Sequence, residues 1–460
     1  MDHAVTTNQV PIVTQIYKNK RYVLKNIGVC LTMELPQDSA HLDPASPKWL
    51  GMRKNVDILI EKGFIASILP SSPSQGTDTT LEGIDCSGMV CVPGLVDCHN
   101  HPIFSGSRSV ETIQKSQGMT YEEISKQGGG IAVTMAATRS ASDAELRTTF
   151  ARHASQALHR GVVLLEAKTG YGLHPKEELR LLQCLYAAYD NAKEPLPFCS
   201  PTYMPLHAAS PEFHGLETYL NACIESLPAA QALSKSNTSS HKFYPLATDI
   251  FVERGFFTKE LADKWLSAAI GYGLNVHIHS DEFSRSGGTE SAVLLASKLE
   301  QNEHLPHRFP RVLSVDHCQY ATETDLAKLK QLGVTAVLLP CTSFFSQIPF
   351  VDAKRMRGSG IPIAIGTDFN PGSSPFNNLF FASYLALSKC GLSLAEVYRG
   401  ITTHAANALG VSGDFGQIAP GRPAHLVLFK GTQPEDLVAF PMGDHLQRVF
   451  ISEQKHATNI

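Results

Sequence analysis

Met89-Val90-Cys91-Val92-Pro93-Gly94-Leu95-Val96-Asp97-Cys98-His99-Asn100-His101 carries an apolar run straight into two histidines two residues apart. Strand side chains alternate faces, so His99 and His101 point the same way from the strand's C-terminal end. That is how a chain offers two imidazoles to one metal ion. A lone His-x-His reads equally well as two solvated loop histidines, so the rest of the chain has to decide. Working outward, this run opens a strand–loop–helix repetition that lasts to about residue 410. Eight apolar strand candidates occur: Val90–Val96, Val162–Ala167, Phe198–Tyr203, Asp249–Val252, Leu274–Ile278, Val312–Val315, Val334–Leu339 and Pro362–Ile365. Helical stretches separate most of them: Asp143–Arg160, Pro175–Asn191, Lys259–Tyr272, Thr289–Leu299, Glu323–Leu332 and Leu394–Leu409. Eight βα units predict an α/β fold, a TIM (β/α)8 barrel. No G-x-G-x-x-G follows a strand, which weakens the doubly wound alternative.

Both chain ends read as β. Tyr22–Leu24, Val56–Ile60 and Phe64–Leu69 are short strands parted by turns at Glu61–Gly63 and Ser71–Gly76. Gly416–Gly421, His425–Phe429 and Arg448–Ile451 repeat that texture after the barrel. The expected organisation is residues 1–90 and 413–460 as two parts of one smaller composite β-sandwich domain, flanking the barrel over 91–412. Leu35–Trp49 reads as a surface loop, and the polar stretch Glu225–His241 as a mobile insertion.

The 460 residues suffice for one large core with an accessory domain. The net charge of −4 favours neither nucleic acid nor an anionic membrane as partner. Ten scattered cysteines without a CxxC pair read as reduced thiols in a cytoplasmic protein. Neither a basic, apolar leader nor an apolar run of membrane-spanning length is present. The partners expected are a small-molecule substrate and, at most, a second copy in a homodimer.

Barrel chemistry collects at the C-terminal ends of strands. There the chain places His99 and His101 after strand one, Glu166 to Tyr171 after strand two, and His207 after strand three. Glu253 follows strand four, His279-Ser280-Asp281-Glu282 strand five, Asp316-His317 strand six and Thr367-Asp368 strand eight. His99, His101, one histidine of strand five and Asp368 would close around a single divalent ion, zinc or iron. His277 and His279 share a face, and His279 is preferred because it lies nearer the strand end. Lys168 ends strand two, within the Glu166 to Tyr171 group. Glu253 follows strand four and is expected to pair locally with Arg254, leaving one metal.

These residues carry a resemblance. The chain resembles the amidohydrolase superfamily, and within it the imidazolonepropionase family. The stretches concerned are Pro93–Arg108, Tyr121–Ile131, Glu166–Leu173 (EAKTGYGL), His279–Glu282, Asp316-His317, Ala336–Pro340, Thr367–Ser374 (TDFNPGSS) and Gly416–Leu428. His-x-His marks only the superfamily; KTGYGL with TDFNPGSS is far more specific. The resemblance implies His99, His101, His279 and Asp368 as metal ligands and Glu282 and His317 as catalytic residues. It implies Arg108, Tyr171, His207, Asn370, Gly372 and Ser373, with Glu282, as substrate contacts. Ser105, Thr169, Ser280, the Cys318–Ala321 stretch and the insertion after Glu225 depart from the family pattern without removing a chemical group.

The activity so implied, within histidine degradation, is hydrolysis of the ring amide of 4-imidazolone-5-propanoate to N-formimidoyl-L-glutamate by metal-bound hydroxide. His317, if protonated, would donate to the carbonyl oxygen, while Asp368 or Glu282 would move protons. Arg108 offers a planar fork for the propionate, with Tyr171 helping to place the ring. Gly128–Gly130 would let backbone approach the site. The rival readings are a heterocycle deaminase using the same groups, which would release ammonia, and an inactive scaffold on the same fold.

Overall fold

The opening run divides between two sheets. In the computed structural model, Met89–Pro93 and Leu95–Asp97 are separate strands. They break at Gly94, where a Cβ would lie 2.4 Å from the Val163 side chain, a position only glycine can fill. The structure describes residues 11–35, 42–43, 45–71, 82–119, 123, 127–190, 192–237, 242–301, 310–453 and 455. Parts of the Leu35–Trp49 loop, the Ser71–Gly76 turn, the Tyr121–Ile131 stretch and the Glu225–His241 segment lie outside these residues.

The first sheet takes β1 (Ile12–Ile16), β2 (Arg21–Leu31), β3 (Met52–Glu61), β4 (Phe64–Pro70), β5 (Glu82–Asp85) and β6 (Met89–Pro93). The barrel follows with β7 (Leu95–Asp97), β8 (Val162–Lys168), β9 (Phe198–Leu206), β10 (Ala247–Val252), β11 (Asn275–Ser280), β12 (Val312–His317), β13 (Thr335–Leu338) and β14 (Ile363–Ile365). The chain then returns to the first sheet with β15 (Leu426–Lys430) and β16 (Leu446–Ser452). That sheet runs β1-β16-β15-β6-β2-β3-β4, with β5 on β2, so both chain ends build one mixed β domain. Leu24, Ile58, Leu428 and Phe450 form its own small core.

The barrel strands are parallel and ordered β14 back to β7. Every residue of β8, β9 and β10 is buried, as expected of strands covered on both faces. Backbone bonds beyond the strand ends join β7 to β14: Asp368 N–H donates to His99 O (2.9 Å) and His101 N–H to Phe369 O (3.0 Å). Buried Asp97 reinforces the seam by accepting the Thr367 hydroxyl (2.6 Å) and backbone N–H (3.0 Å). The seam therefore fixes three residues implied as metal ligands relative to one another.

Three further expectations change. Glu225–Asn237 is not a mobile insertion but the second half of a helix, Leu216–Asn237. Leu220, Cys223, Leu227 and Ala230 bury one helical face continuously, and the polar residues that suggested a loop occupy much of the other. Leu394–Leu409 is two helices, Leu394–Gly400 and Thr403–Ala408, parted at Thr402, whose φ of −132° is not helical. Gly416–Gly421 is not a strand but an irregular connection, whose Ile418 and Gly421 N–H groups donate to Thr32 O and Ile65 O. Among the described residues all ten cysteines are buried and unpaired, and no helix is long and apolar enough to cross a membrane.

Candidate metal centre and active site

His99, His101, His279 and Asp368 converge at the C-terminal end of the barrel, each offering one donor atom within 4.8 Å of the others. Asp368 Oδ1 lies 3.4 Å from Nε2 of both His99 and His101, and His279 Nε2 lies 3.3 Å from His101 Nε2. Donors around a tetrahedral ion bound at about 2.0–2.1 Å stand about 3.3–3.4 Å apart, so this set fits a divalent cation. Buried His99 Nε2 has no hydrogen-bond partner among the described residues, as suits a lone pair held for a metal.

The outer ring nitrogens explain the orientation. His99 Nδ1 meets Asp316 Oδ2 at 2.6 Å, and His279 Nδ1 meets Asp249 Oδ2 at 2.9 Å. A carboxylate accepting from Nδ1–H leaves the lone pair on Nε2, aimed inward. The β11–β12 register sets His279 beside Asp316 and Ser280 beside His317. His277 is fully buried, with Nδ1 2.8 Å from Ser314 Oγ, and is outside the donor set. Burial disfavours the His99 imidazolium and Lys168 repels it. Asp316 and Asp368 outweigh both and push it up to about 10. The carboxylates thus favour a cation at this ring, a proton or, in its place, a divalent ion.

A cavity of about 680 Å³ opens above the donors. His101, Arg108, Tyr171, His207, Glu282 and His317 line it, as do Asp368, Asn370, Gly372 and Ser373. Glu282 is buried with Oε1 3.7 Å from His317 Nδ1; burial, then the charges of Asp368 and Glu253, hold its carboxyl well above the usual range. Burial pushes His317 down to about 3, so the ring enters neutral and not protonated, donating through a single N–H. His317 (φ 74°) and Asp368 (φ 50°) both occupy the left-handed region, strain of the kind that collects at functional sites.

Several residues act through others. The Thr342 hydroxyl donates to Asp368 Oδ2, turning Oδ1 toward the histidines. Glu111 Oε2 accepts from Arg108 Nε (3.0 Å) and Nη2 (2.7 Å), while Oε1 takes the Gly130 N–H, tying the triple glycine to the arginine. Glu178 accepts the N–H groups of Gly170, Gly172 and Leu173 at 2.6–2.8 Å and so shapes the loop carrying Tyr171. The Asn370 side chain spends its oxygen on the Gly372 and Ser373 N–H groups, holding the loop's turn. Glu253 accepts backbone N–H groups of Arg254, Phe283 and Ser284; its partner at Arg254 is the amide and not the guanidinium. Sequence signals for Glu111 and Glu178 existed: one stands three residues after Arg108, the other early in the helix after KTGYGL. Thr342 lies just past the Ala336–Pro340 stretch and gave none.

Fold and donor set together define a metal-dependent hydrolase of the amidohydrolase class, and residues 251–455 match the amidohydrolase family. The fold resembles a zinc-bound atrazine chlorohydrolase from Arthrobacter aurescens TC1 (TM-score 0.62, 14% identity, covering 95% of this chain and 97% of that one). It also resembles a zinc-bound adenosine deaminase from Xanthomonas campestris (TM-score 0.62, 15% identity, 95% and 92%). Relatives at higher identity are more specific. An imidazolonepropionase from Rubrobacter xylanophilus is 36% identical over 82% of this chain and 83% of its own. Another, from Bdellovibrio bacteriovorus, is 31% identical over 94% and 96%. The chain belongs to the imidazolonepropionase family.

Proposed function

We propose that the protein hydrolyses the ring amide of 4-imidazolone-5-propanoate to N-formimidoyl-L-glutamate, using one zinc or iron ion held by His99, His101, His279 and Asp368. The observation that carries this reading is the meeting of the four donors, Arg108 and the Tyr171 loop in one cavity. The bound ion would polarise the ring carbonyl and make water acidic near neutral pH. Arg108, braced by Glu111, offers its guanidinium to the propionate, and Tyr171 and His207 form the wall against the ring. Glu282, ionised once the ion's charge would offset Asp368 and Glu253, takes a proton from the attacking water and returns one to the departing ring nitrogen, with Asp368 beside it. The neutral His317 ring donates its N–H to the carbonyl oxygen as charge builds there, a contact stronger in the transition state than before it. Water's oxygen ends on the carbonyl carbon, the carbon–nitrogen bond breaks, and the nitrogen leaves protonated.

The test is incubation of the purified protein with freshly made imidazolone propionate, followed by mass spectrometry and an ammonia assay. Formimidoyl-glutamate without ammonia is expected. Ammonia release would point to a deaminase, and an untouched substrate to a scaffold.

A further inference from the structure

Behind the four donors lies a second set of ionisable groups that the chemistry above does not use. Lys168, at the end of β8, is fully buried. Its Nζ donates to Glu166 Oε1 (2.8 Å) and Asp249 Oδ2 (2.7 Å), and Asp316 Oδ2 stands 3.7 Å away. Asp249 and Asp316 are the two carboxylates that orient His279 and His99. One ammonium therefore faces both arms of the metal centre. Asp249, His279 and Asp316 also offer donor atoms within 4.8 Å of one another, a spacing compatible with a cation's ligands. Two further buried atoms in this cluster lack a hydrogen-bond partner among the described residues: Glu166 Oε2 and His277 Nε2. His277 Nε2 is 3.7 Å from Glu166 Oε1. Three buried carboxylates packed this closely repel one another, and they persist only around a positive charge.

We propose that the Lys168 ammonium occupies the place of a second divalent ion, holding in position the Asp249 and Asp316 carboxylates that orient His279 and His99, and so keeps the centre mononuclear. This rests on the four-donor reading above. A tethered ammonium differs from an ion in two ways. It cannot be lost to a chelator, and its three N–H donors fix which carboxylate oxygens turn inward. Lys168 is thus a positioning residue: it touches neither substrate nor the bound ion. Deleting it would leave buried oxygens around a space the size of a cation, a donor set suited to Mn²⁺.

The test uses the full-length protein and its Lys168→Ala and Lys168→Met variants, each stripped of metal and titrated with Mn²⁺. Bound ions are counted after gel filtration, and electron paramagnetic resonance reports whether two ions are coupled. Wild type should bind about one ion, and Lys168→Ala about two, with a spin-coupled spectrum. Lys168→Met fills the space without the charge and should bind about one ion, about tenfold or more weakly than wild type. If Lys168→Ala binds a single ion, or Lys168→Met matches wild-type affinity, the proposal is wrong. Should Lys168→Ala unfold without metal, Mn²⁺ should restore its melting transition; failure to do so counts against the proposal equally. A wild type that binds no ion would instead remove the four-donor reading, and this one with it.

Discussion

Gly372 is glycine because of Arg108: a Cβ at position 372 would lie 1.7 Å from Arg108 Nη1. The guanidinium lies against the TDFNPGSS loop on one side and is gripped by Glu111 on the other. Gly372→Ala should push the fork out of place, and Arg108→Lys should keep the charge while losing the fork. Both are expected to raise KM far more than they lower kcat in steady-state kinetics. A collapse of kcat at unchanged KM would make Arg108 a transition-state group instead.

Glu282 follows His279 by three residues and stands beside His317, with Oε1 3.7 Å from its Nδ1. Glu282→Gln keeps shape and hydrogen bonding but cannot accept a proton. Metal content should stay normal while kcat falls by roughly 10²–10⁴. Retention of most of the rate would hand every proton transfer to Asp368.

Asp316 touches the proposed metal ligand His99 but is not itself in that donor set. Asp316→Asn removes the anionic acceptor at Nδ1, freeing the ring to rotate or change tautomer. Metal affinity, measured by competition with a chelator, should drop about 10–100-fold. Unchanged affinity would mean that packing alone orients His99.

The barrel was legible because eight buried strands spaced by amphipathic helices leave a strong periodic trace. The donor set was legible because each member ends a strand. What escaped has physical causes. Val90–Val96 read as one strand because apolarity does not record which sheet a residue enters; the break shows only in the crowding at Gly94 against Val163. The second half of the Leu216–Asn237 helix looked like a loop because its polar face is long and its buried residues, Leu227 apart, are small. Lys168 was visible but isolated, since its partners Asp249 and Asp316 come from strands far along the chain.

Glu178 joins loop shape to stability. Burial pushes its carboxyl up to about 7 against the pull of the hydrogen bonds it accepts. Glu178→Gln turns an amide donor toward one of the three backbone N–H groups. The variant should lose about 1–3 kcal/mol by denaturant melting. Its KM should also rise, because Tyr171 sits on the loop that Glu178 holds. A stability loss with unchanged KM would leave Glu178 purely structural.

The central claim is that one ion, held by His99, His101, His279 and Asp368, serves the hydrolysis of imidazolone propionate. Titrating the chelator-stripped protein with zinc or ferrous iron, while following formation of formimidoyl-glutamate, tests it most directly. Activity should be absent at the start, rise linearly and reach a plateau at about one ion per chain, with His279→Ala flat throughout. Full activity in the stripped protein, or a plateau only at about two ions per chain, would contradict the account.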